Sequence, residues 1–398
     1  MGQFKAYKIK REALRIVRQI GHARQFSWEY ATSTRFYDRF QACNTEWWEG
    51  AGRPSSRIAI YVIYPDAGLL ASHLRCIEYL SAKGLAVLTL SNLPLGEADR
   101  TRVLEKSWIY AERPNVGYDF GAYRDGVKYI ADRLPTLDQL VLMNDSTWFP
   151  LPGSRDWLAD VAALDVDFTS AASHFGLERA NAEDFRKQEW QFSTEHRNFH
   201  YASFALAFSA RVLRDPRFLK FWDNYILTNN KTRTVRRGEI GLTKFAMRCG
   251  FTHGSTLDVV GLLDVLDGLS ADRLQEVAEQ LILITDPPLK KEKSRVLGAS
   301  AALDRDTAIR LAMAGVARQG ASYALAGLLV HDLGFPFLKK SPLWISPETS
   351  DISLGIIEGL PGPDGEMILS EARQLRSRKA NSFQSAGTQS PQPAVPAQ

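Results

Sequence analysis

The 398-residue chain has only three cysteines, Cys43, Cys76 and Cys249, odd in number, scattered and without CxxC spacing. That excludes a disulfide framework and the usual zinc spacings, and a reducing cytoplasm is the expected compartment. No apolar run approaches the roughly eighteen residues that a membrane span requires, and the first residues, MGQFKAYKIKRE, lack the apolar core of a secretory signal. The first strand-like run is followed by YPDAG rather than GxGxxG, and no GxxxxGK[ST] occurs, which argues against dinucleotide-dependent redox chemistry and P-loop chemistry. An excess of one sign of charge is also missing. With 49 basic and 45 acidic residues the formal net charge is +4, so nucleic acid is not an expected partner.

What is present is a globular composition, 45% hydrophobic and 24% charged, long enough for a large core and for two domains. Residues 1–50 read as a basic amphipathic segment. Lys5, Lys8, Lys10, Arg11, Arg15, Arg18 and Arg24 accompany an imperfect apolar side of Leu14, Ile16, Val17, Ile20 and Phe26, suited either to anionic lipid headgroups or to docking on its own domain. GAGRPSS then reads as a linker. From residue 58 strands alternate with helices: RIAIYVIYP, LLASHLRCIEYLSAKG, LAVLTLSN, EADRTRVLEKS, WIYAE, DFGAYRDGVKYIADRL and LDQLVLMNDS. This order predicts an α/β fold with a mostly parallel sheet flanked by helices, whose polar strand ends gather along one edge, where open α/β sheets bind ligands. DVDFTSAAS and YASFALAFS are further strand-like runs. Residues 260–345 read as mainly helical, DPPLKKEKSR as an exposed loop, and 346–398 as an extension ending in a disordered Ser/Gln/Pro/Ala tail.

Two loops stand out at the expected edge. Asn115 and Gly117 lie between a strand and a helix, where glycine lets the backbone approach a ligand and helix N–H groups can meet an anion. Asp119 would cap that helix, and Arg124 one turn on would be solvated. About twenty-five residues later Asn144, Asp145 and Ser146 interrupt an apolar run, either as a simple turn or as a ligand-binding strand end. His196 and His200 lie four apart beside a strand-like run, an arrangement short of the further ligands a catalytic zinc needs. Trp190 and Phe192 suit sugar stacking or loop anchoring.

The ordered series NVGYDFGAYRDG, LVLMNDSTWFPL, YASFALAFSARVL, FLKFWDNY, RGEIGLTKFAMRCGF and FPFLKKSPLW resembles the rhamnan synthesis protein F family of bacterial polysaccharide assembly, over roughly residues 58–345. That family is similar to inverting glycosyltransferases of the GT-A type. The resemblance implies a GT-A-like domain over 56–259, a helical C-terminal region over 260–345, and transfer of a nucleotide-activated deoxysugar such as dTDP-L-rhamnose to a glycan or lipid-linked acceptor. A peripheral site on the inner face of the membrane would suit the basic N-terminus.

Nucleotide departure requires charge neutralisation, normally by Mg²⁺ or Mn²⁺ held through one or two carboxylates. The resemblance gives that role to Asp145, with Asn144 and Ser146 as neutral donors, although NDS supplies one carboxylate where many GT-A enzymes carry two. The Asn115, Gly117 and Asp119 loop would contact the nucleotide. Glu239 would be the general base at a helix start, against its plain reading as a first-turn acid. Arg236 and Arg237 would hold diphosphate or form a solvated loop, and His200 and Ser203 would line the acceptor. The alternative function is a non-catalytic glycan- or nucleotide-binding member of an assembly complex.

Overall fold

The computed structural model describes residues 30–175, 182–188, 190, 192–284, 286–298 and 303–386. The basic stretch up to residue 29 and the Ser/Gln/Pro/Ala tail lie outside the described residues. The fold is α/β, as expected. Its centre is a sheet in the order β1 (Glu46–Glu49), β4 (Ile109–Glu112), β3 (Ala86–Ser91), β2 (Arg57–Ile63), β5 (Gln139–Asn144), β10 (Ala205–Ser209), β7 (Phe168–Ser170) and β11 (His253–Ser255). The contiguous block β4-β3-β2-β5 is parallel, and β7 pairs parallel with β11. β1 and β10 run antiparallel to their neighbours.

The strands form because their apolar runs can be buried on both faces, the usual pattern of parallel sheets under helices. Side chains alternate across the pleat. Ile58, Ile60 and Val62 of β2 face the core that includes Phe120, Tyr123 and Trp222, whereas Ala59, Tyr61 and Ile63 face the opposite core. That second core is continuous with the C-terminal helices through Leu274, Leu311 and Leu328. The helical region is therefore packed directly against one face of the sheet. A smaller cluster around Trp148, Leu338, Ile356 and Leu375 closes the end nearest the strand tips.

Three local readings change. GAGRPSS is no slack linker: Gly50 and Gly52 donate to the Trp108 and Ser107 carbonyls at 2.9 Å, and a Cβ on Gly50 would stand 2.1 Å from the Ser107 oxygen. Glycine there lets the edge strand β1, with Trp47 and Trp48, reach β4. Arg124 is 1% exposed rather than solvated, because Asp38 accepts both of its terminal nitrogens at 2.7 Å. DPPLKKEKSR is a helix, Pro287–Leu297. Asp286 caps it by accepting from Leu289 N, the prolines occupy its first turn, and Lys293 is buried on the Leu281 carbonyl and Glu348. Beyond residue 346 two further helices follow, Pro347–Glu358 and Gly362–Ala386. No described helix is long and apolar enough to cross a membrane.

Candidate active site

After β2 the chain builds outward through β3 and β4, then returns to place β5 on the other side of β2. Strand order reverses between β2 and β5, and ligands bind at the carboxyl end of such a switch point. There Asp145 Oδ2 accepts from Tyr64 N across the break at 2.7 Å. His73, 1% exposed, lies with Nε2 3.2 Å from the same oxygen, while its Nδ1 accepts from Leu70 N. The backbone bond fixes the tautomer, leaving the proton on Nε2 facing Asp145. Burial pushes the Asp145 pKa up, but His73, the Lys340 ammonium and the Tyr64 N–H outweigh it and hold the carboxyl below its ordinary value. Burial also lowers the pKa of His73, keeping the imidazole neutral.

Behind Asp145 the network continues into the C-terminal region. Lys340, 5% exposed, feels Asp145 and Glu371, and Glu371 accepts from Ser72 N at 2.8 Å and from Trp148 Nε1 at 3.1 Å. β6 (Thr147–Trp148) pairs antiparallel with β12 (Leu338–Lys339), and Lys340 N donates to the Ser146 carbonyl, so FPFLKKSPLW is laid directly beside NDS.

Asn144 spends both ends of its amide: Oδ1 accepts from Ser146 N at 3.1 Å and Nδ2 donates to Asp119 Oδ2 at 2.9 Å. The polar interruption of the apolar run is thus a turn that also grips the next loop. Asp119 makes no cap contact, since the cap position is Gly117. It is instead a second carboxylate beside NDS, which supplied only one. Burial, and then repulsion from Asp145, push its pKa up to about 7. Gly117 adopts a left-handed φ of 82°, a conformation natural to glycine. Its N–H is already engaged with Asn229 Oδ1 at 2.8 Å, and Asn115 is exposed at the loop.

Glu239 does not open a helix. The helical segment begins at Lys231, capped by Asn230, passes through a π turn at Arg236–Ile240 and continues to Arg248, where Gly250 ends it with φ 73°. A first-turn acid is therefore the wrong description; π turns inside helices recur at functional sites. Ser203 Oγ donates to Glu239 Oε1 at 2.6 Å and Ser203 N approaches it at 3.3 Å. His200 Nε2 lies 3.6 Å from Oε2, with Nδ1 2.7 Å from the Asn198 carbonyl. Gly238 lets the turn sit on Phe120: a Cβ there would be 2.5 Å from the ring.

This wall joins the sheet edge through short links. Tyr123 OH donates to the Ser203 carbonyl at 2.9 Å, and Asn144 N approaches the Phe204 carbonyl at 3.2 Å. Glu239 accordingly contributes to the field at Asp119. The structure brings Asp119, Asn144, Asp145, Ser146, His200, Ser203 and Glu239 into one neighbourhood. Arg236 is exposed, whereas Arg237 lines a separate cavity of about 410 Å³ with Lys220, Tyr225 and Phe245. Trp190 and Phe192 pack against the core, the anchoring role.

Lys339 is the site residue that the sequence reading missed. Its ammonium lies 4.0 Å from the Phe204 ring centroid and 3.4 Å from Ser146 Oγ. Burial pushes its pKa down to about 8, with Glu239 and Asp119 holding it up and Lys231 pushing down. A charged pair between apolar FPFL and SPLW was its available signal.

For a divalent cation the donor set is narrow. One oxygen of Asp119 and one of Asp145 already carry protein hydrogen bonds. Among the described residues no group of three or more His, Cys, Asp or Glu converges on a common point. The remaining oxygens fit a cation that arrives with a nucleotide's phosphates, the usual habit of Mg²⁺.

Comparison with known proteins follows the same line. A family model described as rhamnan synthesis protein F matches residues 87–325. An uncharacterized protein, y4gN, of Sinorhizobium fredii is 32% identical over 283 residues, covering 69% of this chain and 67% of that protein. Among solved structures, core-mannan synthase A (CmsA/Ktr4) of Aspergillus fumigatus in its Mn/GDP form aligns with 45% of this chain and 68% of its own, at 8% identity and a TM-score of 0.26. The mannosyltransferase Ktr4p of S. cerevisiae aligns with 45% of this chain and 62% of its own, at 10% identity and a TM-score of 0.24. Likeness that faint bears no weight, but the family match spans more than half the sequence. The chain belongs to the rhamnan synthesis protein F family.

Proposed function

We propose that the protein is an inverting glycosyltransferase moving a deoxysugar, with dTDP-L-rhamnose as the leading donor, to a surface or lipid-linked glycan. The observation that carries this reading is Glu239: an acid in a π turn, oriented by Ser203 and joined through Ser203, Phe204 and Asn144 to two carboxylates at the sheet's switch point. A single base suffices for a single displacement. The acceptor hydroxyl gives its proton to Glu239 as its oxygen bonds to the anomeric carbon. The bond from that carbon to the diphosphate breaks with its electron pair, and the nucleoside diphosphate leaves.

Ser203 positions the base, and His200 lies on the acceptor side of the carboxylate. The Asn115–Asp119 loop and Asn144–Ser146 would face the nucleotide, and exposed Arg236 is the arginine of its pair better placed for phosphate. A divalent cation bound with the donor would neutralise developing phosphate charge, held by Asp119 and Asp145. The basic N-terminal stretch would bring the enzyme to an anionic membrane carrying the acceptor.

The test is a screen of sugar nucleotides for binding and for sugar release, with and without Mg²⁺ or Mn²⁺, on the wild type and Glu239→Gln. The substituted protein is expected to bind donor normally and to lose turnover by roughly a hundredfold or more, the scale of a missing general base. Wild-type turnover in Glu239→Gln would sink the base assignment.

A further inference from the structure

Two adjacent lysines, Lys339 at the end of β12 and Lys340 just after it, have different surroundings. Lys340 is sunk into the Asp145, Glu371 and Trp148 network, where its charge answers two carboxylates. Lys339, its neighbour, turns toward the cleft. Among the described residues neither lysine has a carboxylate within ion-pair distance; the contacts of Lys339 are the faces of Phe204 and Tyr323 and the Ser146 hydroxyl, and the carboxylates it feels are Glu239 and Asp119. Desolvating an ammonium against aromatic rings costs free energy, which cation–π attraction of about 2 kcal/mol at best recovers in part. A chain that needed only packing would do better with methionine. The groups facing Lys339 are Asp119 in the first turn of the helix after β4, Glu239 on the π turn and Lys231 at the start of the same helical segment, together with the Tyr323 ring of the C-terminal region. Lys340 thus answers the Asp145 side of the cleft, and Lys339 is a desolvated cation on the Glu239 side, beside Ser146.

We infer that Lys339 takes the charge of the departing diphosphate, so that the C-terminal region completes the donor site instead of merely covering the sheet. The inference rests on the glycosyltransferase reading. As the bond from anomeric carbon to phosphate oxygen breaks, the electron pair passes to the diphosphate, and the Lys339 ammonium, beside Ser146, gives that oxygen a charge-assisted hydrogen bond without transferring a proton. The pairing of β12 with β6 fixes its backbone beside Ser146.

The experiment is calorimetry on the full chain in EDTA, with dTDP, UDP and GDP and their monophosphates, on the wild type, Lys339→Met and Lys339→Arg. The expected result is that Lys339→Met weakens the preferred diphosphate roughly tenfold or more, leaves the matching monophosphate within about threefold, and is rescued by Lys339→Arg. Diphosphate affinity unchanged in Lys339→Met overturns the inference and leaves the glycosyltransferase reading standing. Equal loss of diphosphate and monophosphate also overturns it, because a damaged fold would do that. A wild type that binds none of the diphosphates, either in EDTA or when the titration is repeated with Mg²⁺ or Mn²⁺, overturns both.

Discussion

The two walls of the cleft are built on opposite terms. On the sheet side, Asp145 is surrounded by His73, Tyr64 N–H and Lys340, and the network runs on to the buried Glu371 and Trp148. On the helical side, Glu239 is half-buried, with Ser203 as its firm partner and His200 standing off at 3.6 Å. A carboxylate whose every neighbour is charged or donating is being used to hold chain segments together. One held by a single firm partner, on a helical turn of uncommon geometry, suits the base of the proposed transfer.

The contrast can be broken at its strongest point by Asp145→Ala. Removing Asp145 leaves the buried His73 Nε2 and the Tyr64 N–H without their acceptor and takes a carboxylate charge from the buried Lys340, and a loss of about 3–5 kcal/mol in unfolding free energy is expected by denaturant titration. A loss below 1 kcal/mol would mean the sheet wall is not the scaffold described here.

Asp119 lies between the walls and should show its strain in pH dependence. Its folded pKa of about 7 lies above the unfolded value near 3.9. As pH rises, the unfolded chain ionises first, so stability present below about pH 4 is lost progressively until about pH 7. Asp119→Asn mimics the neutral acid. In EDTA it should match the wild type at pH 4 and exceed it by about 2 kcal/mol at pH 8, read from thermal melts. A variant less stable than the wild type at pH 8 would reverse the assignment.

Ser203→Ala sharpens the helical side. Losing one half-buried hydroxyl bond should change stability by about 1 kcal/mol or less, yet let Glu239 wander and lower kcat about tenfold, with KM for donor little changed. Equal effects on stability and rate would make Ser203 a packing residue.

What the sequence made legible follows from whether the physics is local. β2, β3, β4 and β5 were readable because burial on both faces demands continuous apolar runs, and Asp145 because it breaks one. The helix Pro287–Leu297 was readable in principle from its Asp-Pro-Pro start, but its charge obscured the buried positions Leu289, Lys293 and Val296, which recur at helical spacing. Asp119 as the second carboxylate depends on an amide 25 residues away, and Lys339 on a contact with Ser146 across 193 residues, so neither leaves a mark in its own neighbourhood. The π turn has no composition of its own.

That turn also sets a limit on how the chain can change. The stretch Gly241–Arg248 buries Leu242, Phe245 and Ala246, which fixes its rotation about the helix axis. The widened turn before it holds one residue more than an α-helix would, shifting the phase of everything upstream. Deleting Ile240 would restore a regular helix and swing the preceding residues, Glu239 among them, by about 100°. The core could survive such a deletion while the carboxylate left the cleft. Under the proposed mechanism, one codon would separate a transferase from a silent binding protein.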